Sequence, residues 1–137
     1  MTFPKTAMIA ALALGLAGAP SAGLAHHSFA MFDFSKTVTL KGQIKELQWS
    51  NPHVIVWVET AGDSGRPSET WSAELTSPGN LTRRGWTKRT LKPGDKVEVE
   101  VSPLRDGGKG GAFRRAVLEN GQVLTSDLRA QAQGAAP

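Results

Sequence analysis

Apolar and polar residues alternate over residues 36–44, as they do in a β-strand with one buried face. The apolar residues of that face are Val38, Leu40 and Ile44. Gly42 interrupts the alternation and predicts a sharp bend or a bulge. The apolar residues then move to odd positions, at Leu47 and Trp49. Because a bulge near Lys45 and Glu46 would explain this change of parity, we predict one long, bent first strand.

Five further strands follow from the same kind of pattern. They are predicted over residues 54–58, 71–75, 96–101, 113–119 and 122–124. Residues 54–58 are apolar on both faces, which indicates a strand that lies between two others. Ser77-Pro78 has the residue types of a helix N-cap and first helical position, and Gly85 is a typical residue after a helix end. A short helix is therefore predicted between the third and fourth strands.

This order of elements matches the five-stranded Greek-key OB barrel. We therefore predict a mainly β fold, a small OB-like barrel of five to six strands with one short helix between strands three and four. Closure of such a barrel requires the first strand to pair with two neighbours. The alternative that the pattern leaves open is an open β-sandwich.

The first residues have the layout of a secretory signal peptide. Lys5 precedes an apolar run of thirteen residues, 7–19, which is shorter than the roughly 20 residues that span a bilayer. Gly23 and Ala25 suit the two small-residue positions before a cleavage site, whereas Pro20 disfavours earlier sites. We predict a signal peptide over 1–25, one barrel domain over 26–125 and a flexible tail over 126–137. The mature protein is then periplasmic or secreted, without a transmembrane segment.

Composition narrows the classes of function. The chain has no cysteine, which excludes disulfides and thiolate chemistry, and its net charge of +4 comes from charges of mixed sign. The glycine-rich segment 106–111 lacks the Ser/Thr and following helix of a phosphate loop, and no serine lies in a nucleophile elbow. We therefore expect no enzymatic activity.

Four tryptophans and a basic stretch over 83–89 could serve nucleic-acid binding, but export argues against that partner.

The three histidines of the chain carry the candidate chemistry. After cleavage at Ala25, His26 would offer its amine and ring nitrogen to one ion, and His53 would add a second imidazole. This three-nitrogen set, a histidine brace, suits Cu(II) because copper favours nitrogen ligands in a planar arrangement. His27 could replace His53 or supply a fourth nitrogen, although neighbours in an extended arm point to opposite sides. Met31 could add a thioether, but we expect it to pack beside the nearby phenylalanines.

Several motifs together resemble a family of small exported bacterial proteins that is catalogued only as a domain of unknown function. They are Ala25-His26-His27-Ser28-Phe29, Leu40-Lys41-Gly42, Trp49-Ser50-Asn51-Pro52-His53, Trp71, Ser77-Pro78, Gly85-Trp86, Pro93-Gly94-Asp95 and Arg105-Asp106-Gly107-Gly108. The resemblance extends from His26 to about Leu124. It implies an exported protein of one domain and draws attention to the three histidines, but it implies no activity.

The sequence therefore favours an exported binding protein that carries or buffers a copper ion through His26, His53 and His27. The alternative is a metal-free module that binds an envelope protein or polymer through its barrel face or its basic region. A copper-dependent oxidase or monooxygenase is disfavoured, because the chain has no tyrosine for an axial position and little length for a substrate platform. Oligomeric state does not follow from the sequence.

Overall fold

Six strands form one sheet in the computed structural model, which describes residues 27–62, 65 and 67–126. In chain order they are β1 (Val38–Gln48), β2 (Ile55–Thr60), β3 (Glu69–Glu74), β4 (Lys96–Pro103), β5 (Gly110–Leu118) and β6 (Val123–Thr125). The described residues also contain two short helices, α1 (His27–Ala30) and α2 (Pro78–Thr82). Neither helix has the length and hydropathy needed to cross a bilayer.

The sheet closes into a barrel. Its strand order is β3-β2-β1-β4-β5-β6, and β3 also pairs with β5 in parallel, so that the first five strands form a ring. The last strand, β6, lies outside this ring on the free side of β5. Because β1 pairs with both β2 and β4, the condition for closure is met. The OB-like barrel is therefore confirmed, and the open sandwich is excluded.

The first strand is long and irregular, as its sequence predicts. The register between β1 and β2 shifts between Ile44 and Glu46, so the bulge lies at the predicted place. Gly42 lies where β1 and β2 approach each other closely. A Cβ at this position would lie 2.0 Å from the carbonyl oxygen of Glu59 on β2. Glycine is required here because the two backbones approach too closely for any side chain.

The barrel interior is filled by alternate residues of its strands. The fully buried members include Val54, Val56, Val58, Ala73, Leu75, Val99, Val101 and Phe113. Trp86 follows α2 and lies edge-on against Phe113, with ring centroids 5.8 Å apart. Since Trp57 belongs to neither buried cluster and is half-buried on β2, only part of the tryptophan content builds the core.

The helix between β3 and β4 begins as predicted. Ser77 is its N-cap, and the Ser77 hydroxyl accepts a hydrogen bond of 3.4 Å from the amide of Asn80. Leu81 is the buried residue that fixes the helix to the core. The helix ends at Thr82, earlier than Arg84 where the sequence placed its end, and Gly85 has the left-handed φ of 84°. The chain therefore leaves the helix through a left-handed glycine.

Candidate functional site

His53 is fixed by backbone hydrogen bonds of the residue that follows it. The amide of Val54 donates to the carbonyl of Thr76 at 3.1 Å, and the Val54 carbonyl accepts from the amide of Leu75 at 2.8 Å. Val54 is fully buried, and side chains alternate between the two faces of extended chain. His53 therefore points to the outside of the barrel, as does Glu74, which is the strand partner of Ile55 on β3.

The ring of His53 binds the carboxylate of Glu74. Nδ1 of the histidine lies 2.5 Å from Oε1 of the glutamate, and the two side chains are 28% and 24% exposed. Burial raises the pKa of Glu74, and the neighbouring His53 opposes this effect in part. Because a carboxylate oxygen accepts a hydrogen bond, the ring atom that donates it is Nδ1. In the described part of the chain Nε2 has no hydrogen-bond partner, so the ring nitrogen that does not contact Glu74 is available to a ligand.

The segment before β1 is attached to the loop between β4 and β5. The amide of Arg105 donates to the carbonyl of Met31 at 2.9 Å, and Nε of the same arginine donates to the carbonyl of Ala30 at 3.1 Å. The amide of Asp33 donates to the carbonyl of Pro103 at 2.8 Å. Residues 27–36 therefore form an arm with a fixed place on the barrel, which we call the amino-terminal arm.

A small apolar cluster anchors this arm. Phe32 is only 3% exposed and packs on Ala112, and the half-buried side chains around them are Phe29, Phe34 and Leu104. Ala112 is the strand partner of Glu74 in the β3–β5 pair. Neighbouring strands are about 4.8 Å apart. The arm is therefore anchored one strand away from the carboxylate that holds His53.

The arm differs from the sequence expectation in two respects. It begins with the helical turn α1, so the expectation of an extended arm is wrong for residues 27–30. Met31 is 46% exposed and does not belong to the phenylalanine cluster, so its expected packing role is wrong as well. The turn forms because Phe32 and Arg105 fix the backbone from outside the segment. These contacts join residues that are far apart in the sequence.

The predicted ligands have different positions with respect to this site. His53 lies at the site, His27 belongs to α1 through its backbone, and His26 lies outside the described residues. Over residues 27–62, 65 and 67–126, no group of three or more histidine, cysteine or acidic side chains surrounds a common point. Glu74 is the residue that the sequence analysis missed. Its signal was the alternation of Trp71, Ala73 and Leu75, which places Glu74 on the outer face.

One half-buried tryptophan lies on the same outer face as His53. Trp57 lies four residues after His53, so the extended chain places both side chains on the same face. Its indole N–H donates to Oε1 of Gln48 at 3.3 Å. Its strand partner is Ser72 on β3. The outer face of this part of the barrel therefore carries an indole and the pair of His53 and Glu74, with Ile55 between His53 and Trp57 along the chain.

Comparison with curated proteins gave no match, and comparison with solved structures gave none either. The model of one protein family, a family of unknown function named DUF6152, matches residues 13–114. This match includes β1, β2, β3, α2 and β4, the residues His53 and Glu74, and all three pairing partners of β3 on β5. The resemblance to a domain of unknown function is thereby confirmed, and the chain belongs to the family DUF6152.

Proposed function

We propose that the exported protein binds a copper-type ion through His53 and the amine and ring of His26, with His27 assisting, and that it carries or buffers this ion outside the cytoplasm. The observation that supports the proposal is the contact between Nδ1 of His53 and the carboxylate of Glu74. Histidines that bind metals donate their other ring N–H to a carboxylate or carbonyl, which fixes the tautomer and the orientation of the ring. Glu74 has that position here.

Ligand chemistry favours copper over other ions for this set. Three nitrogens without a thiolate suit Cu(II), whereas Mg²⁺ and Ca²⁺ require oxygen ligands. The side chain of His53 is partly exposed, so an ion can reach Nε2 without a change in the barrel. The hydrogen bond to Glu74 also makes the imidazole a stronger metal ligand, since the carboxylate compensates the positive charge that the ring gains when it binds the ion.

The anchored arm supports the participation of His26. His26 is bonded to His27, the first residue of α1, and Phe32 fixes the arm next to the strand that holds Glu74. Ring nitrogens lie about 2 Å from a bound first-row ion, so two of them are at most about 4 Å apart. A site shared by His26 and His53 would require the arm to bring them within this separation.

Titration of the exported protein with Cu(II), with intact mass spectrometry to establish the first residue, tests this proposal. We expect one ion per chain and a first residue of His26. One additional alanine before His26 should weaken binding as much as His53→Ala, because each change removes one part of the same site. One additional alanine after Pro137 is the matched control. If the protein extended before His26 binds Cu(II) as tightly as the natural one, the proposed site does not exist.

The affinity should also depend on pH. The amine and both imidazoles must lose their protons before they bind, so copper affinity should fall as the pH decreases from 8 to 5, by about tenfold or more per unit once two groups are protonated. Nonspecific binding to carboxylates would persist at the acid end of this range. The measured slope therefore distinguishes a nitrogen site from adventitious oxygen ligands.

A further inference from the structure

The connection between α2 and β4 forms a cationic surface, and we propose that it docks on an anionic phospholipid bilayer. We call residues 83–92 the cationic loop. Its exposed basic residues are Arg83, Arg84, Lys88, Arg89 and Lys92. The sequence has no acidic residue between Glu74 and Asp95, so nothing within the loop compensates this charge. This inference does not depend on the metal site.

Of the basic residues elsewhere on the barrel, Lys45, Arg105 and Arg114 donate hydrogen bonds to uncharged oxygens, and five others form ion pairs. These ion pairs are Lys36–Asp33 at 3.2 Å, Lys41–Glu98 at 3.1 Å, Lys96–Glu119 at 3.2 Å, Lys109–Glu69 at 3.0 Å and Arg115–Glu100 at 2.6 Å. Lys88, Arg89 and Lys92 form no ion pair within the described part of the chain. Three basic side chains without an acidic partner therefore lie within five positions of one another in this loop, where their charge can attract a negatively charged surface.

The cationic loop has a defined conformation. Trp86 and Leu91 are buried in the barrel core on either side of Lys88 and Arg89. The amide of Thr87 donates to the hydroxyl of Thr90 at 2.7 Å, and the amide of Arg89 donates to the hydroxyl of Thr87 at 3.1 Å. The positive charges are thus presented from a fixed backbone, so docking orders only side chains and costs little conformational entropy.

An apolar side chain lies beside the loop. A cleft of about 610 Å³ separates the loop from β6, and its walls include Arg84, Trp86 and Val123. Val123 is 52% exposed, one of two large apolar residues so exposed among those the structure describes. Basic residues beside an exposed apolar one suit a phospholipid surface, which offers phosphates above an apolar layer. Nucleic acid is disfavoured because Trp86 is buried and cannot stack on a base.

Sedimentation with phospholipid vesicles tests the proposal. The exported protein, with a chelator present to remove metal, is mixed with vesicles of phosphatidylglycerol and phosphatidylcholine or of phosphatidylcholine alone. We expect binding to the anionic vesicles only, and release at about 0.5 M salt, where charges are screened over a few ångströms. The variant K88Q/R89Q/K92Q should bind at least about tenfold more weakly, and Val123→Ser about twofold to fivefold.

The variant K36Q/K41Q/K96Q is the matched control, because it removes the same charge from residues that already have acidic partners. It should bind anionic vesicles within about twofold of the natural protein. Thermal unfolding midpoints of both variants verify that each remains folded. The proposal is overturned if the anionic vesicles do not bind the protein, if both triple variants lose binding equally, or if soluble polyphosphate binds the loop while vesicles do not.

Discussion

The contact between His53 and Glu74 couples a residue of the proposed site to a residue of the barrel wall. Glu74 lies on β3 and is paired on one side with Ile55 and on the other with Ala112, so its position is determined by two neighbouring strands. A single hydrogen bond to Glu74 then holds the imidazole of His53 in place. A ligand that is oriented before binding loses less freedom when the ion arrives.

Replacement of Glu74 by Gln should weaken Cu(II) binding by about tenfold to a hundredfold, the usual effect of removing a carboxylate behind a histidine ligand. The change preserves size but removes the charge that supports the imidazole. Competition with a chromophoric chelator measures the affinity. Glu59→Gln is the control, because Glu59 lies on the same barrel and, among the described residues, its side chain accepts a hydrogen bond of 3.4 Å from Gln43 and forms no ion pair. Equal affinities for the two variants would exclude Glu74 from the site.

Gly42 permits the close contact of β1 and β2. Gly42→Ala should lower the free energy of unfolding by about 2 kcal/mol or more, since the new Cβ would lie 2.0 Å from a backbone oxygen that cannot easily move. Gly79→Ala is the matched control, because the nearest atom to its new Cβ is 3.9 Å away and alanine favours the helix. Urea unfolding distinguishes them. A loss of stability at Gly79 equal to that at Gly42 would contradict the steric argument.

The amino-terminal arm is an element whose stability comes from elsewhere in the chain. Its cluster of Phe32 and Ala112 is separate from the main core of the barrel. A four-residue helical turn without acidic residues has little stability of its own. We therefore expect that the arm can detach while the barrel remains folded.

Phe32→Ala should release the arm without unfolding the barrel. Hydrogen exchange should become faster at the amides of Asp33 and Arg105, which donate to Pro103 and Met31, while the amide of Val99 in the core stays protected. Copper affinity should also fall in this variant, although Phe32 is not a ligand of the proposed site. Phe34→Ala, which removes a half-buried ring of the same cluster, should have the smaller effect. Uniformly faster exchange throughout the barrel would show that the arm is not an independent unit.

Local sequence signals predicted the elements whose stability is local. The parity change before Leu47 and the Ser77-Pro78 start of α2 are read within a few residues, and both are correct. The helical turn α1 and the partner of His53 were not predicted, because each depends on residues distant in the sequence. Glu74 could be placed on the outer face, but its contact with His53 requires the register of the β2–β3 pair.

At the scale of the whole molecule, closure of the barrel depends on a short seam. The parallel pair of β3 and β5 includes only the partners Ser72–Gly110, Ala73–Gly111 and Glu74–Ala112. The antiparallel pairs on either side are longer. The sequence predicted that the barrel closes but could not locate this seam, because parallel pairing leaves no turn signal between the two strands.

The acid stability of the barrel should depend on Glu100. A hydrogen bond from Arg115 holds the pKa of Glu100 below its usual value of 4.5. Because the folded-state pKa is lowered, the stabilisation is present above the usual pKa and is lost as the pH falls through the lowered one. Glu100→Gln should therefore lose less stability than the natural protein between pH 5 and pH 3, as measured by urea unfolding at each pH. Glu46→Gln is the control, because Glu46 forms no ion pair within the part of the chain that the structure describes.

The seam also bears on the order of events as the chain folds. Residues 72–74 and 110–112 are distant in the sequence, and long-range pairing is the slow part of folding for such topologies. Glu74 acquires its final surroundings when these residues pair, and so does the anchoring place of the arm on Ala112. At the proposed copper site, affinity for the ion would therefore arise only once this pair has formed. Ion binding would then report completed closure of the barrel, and partly folded chains would leave the metal to closed molecules.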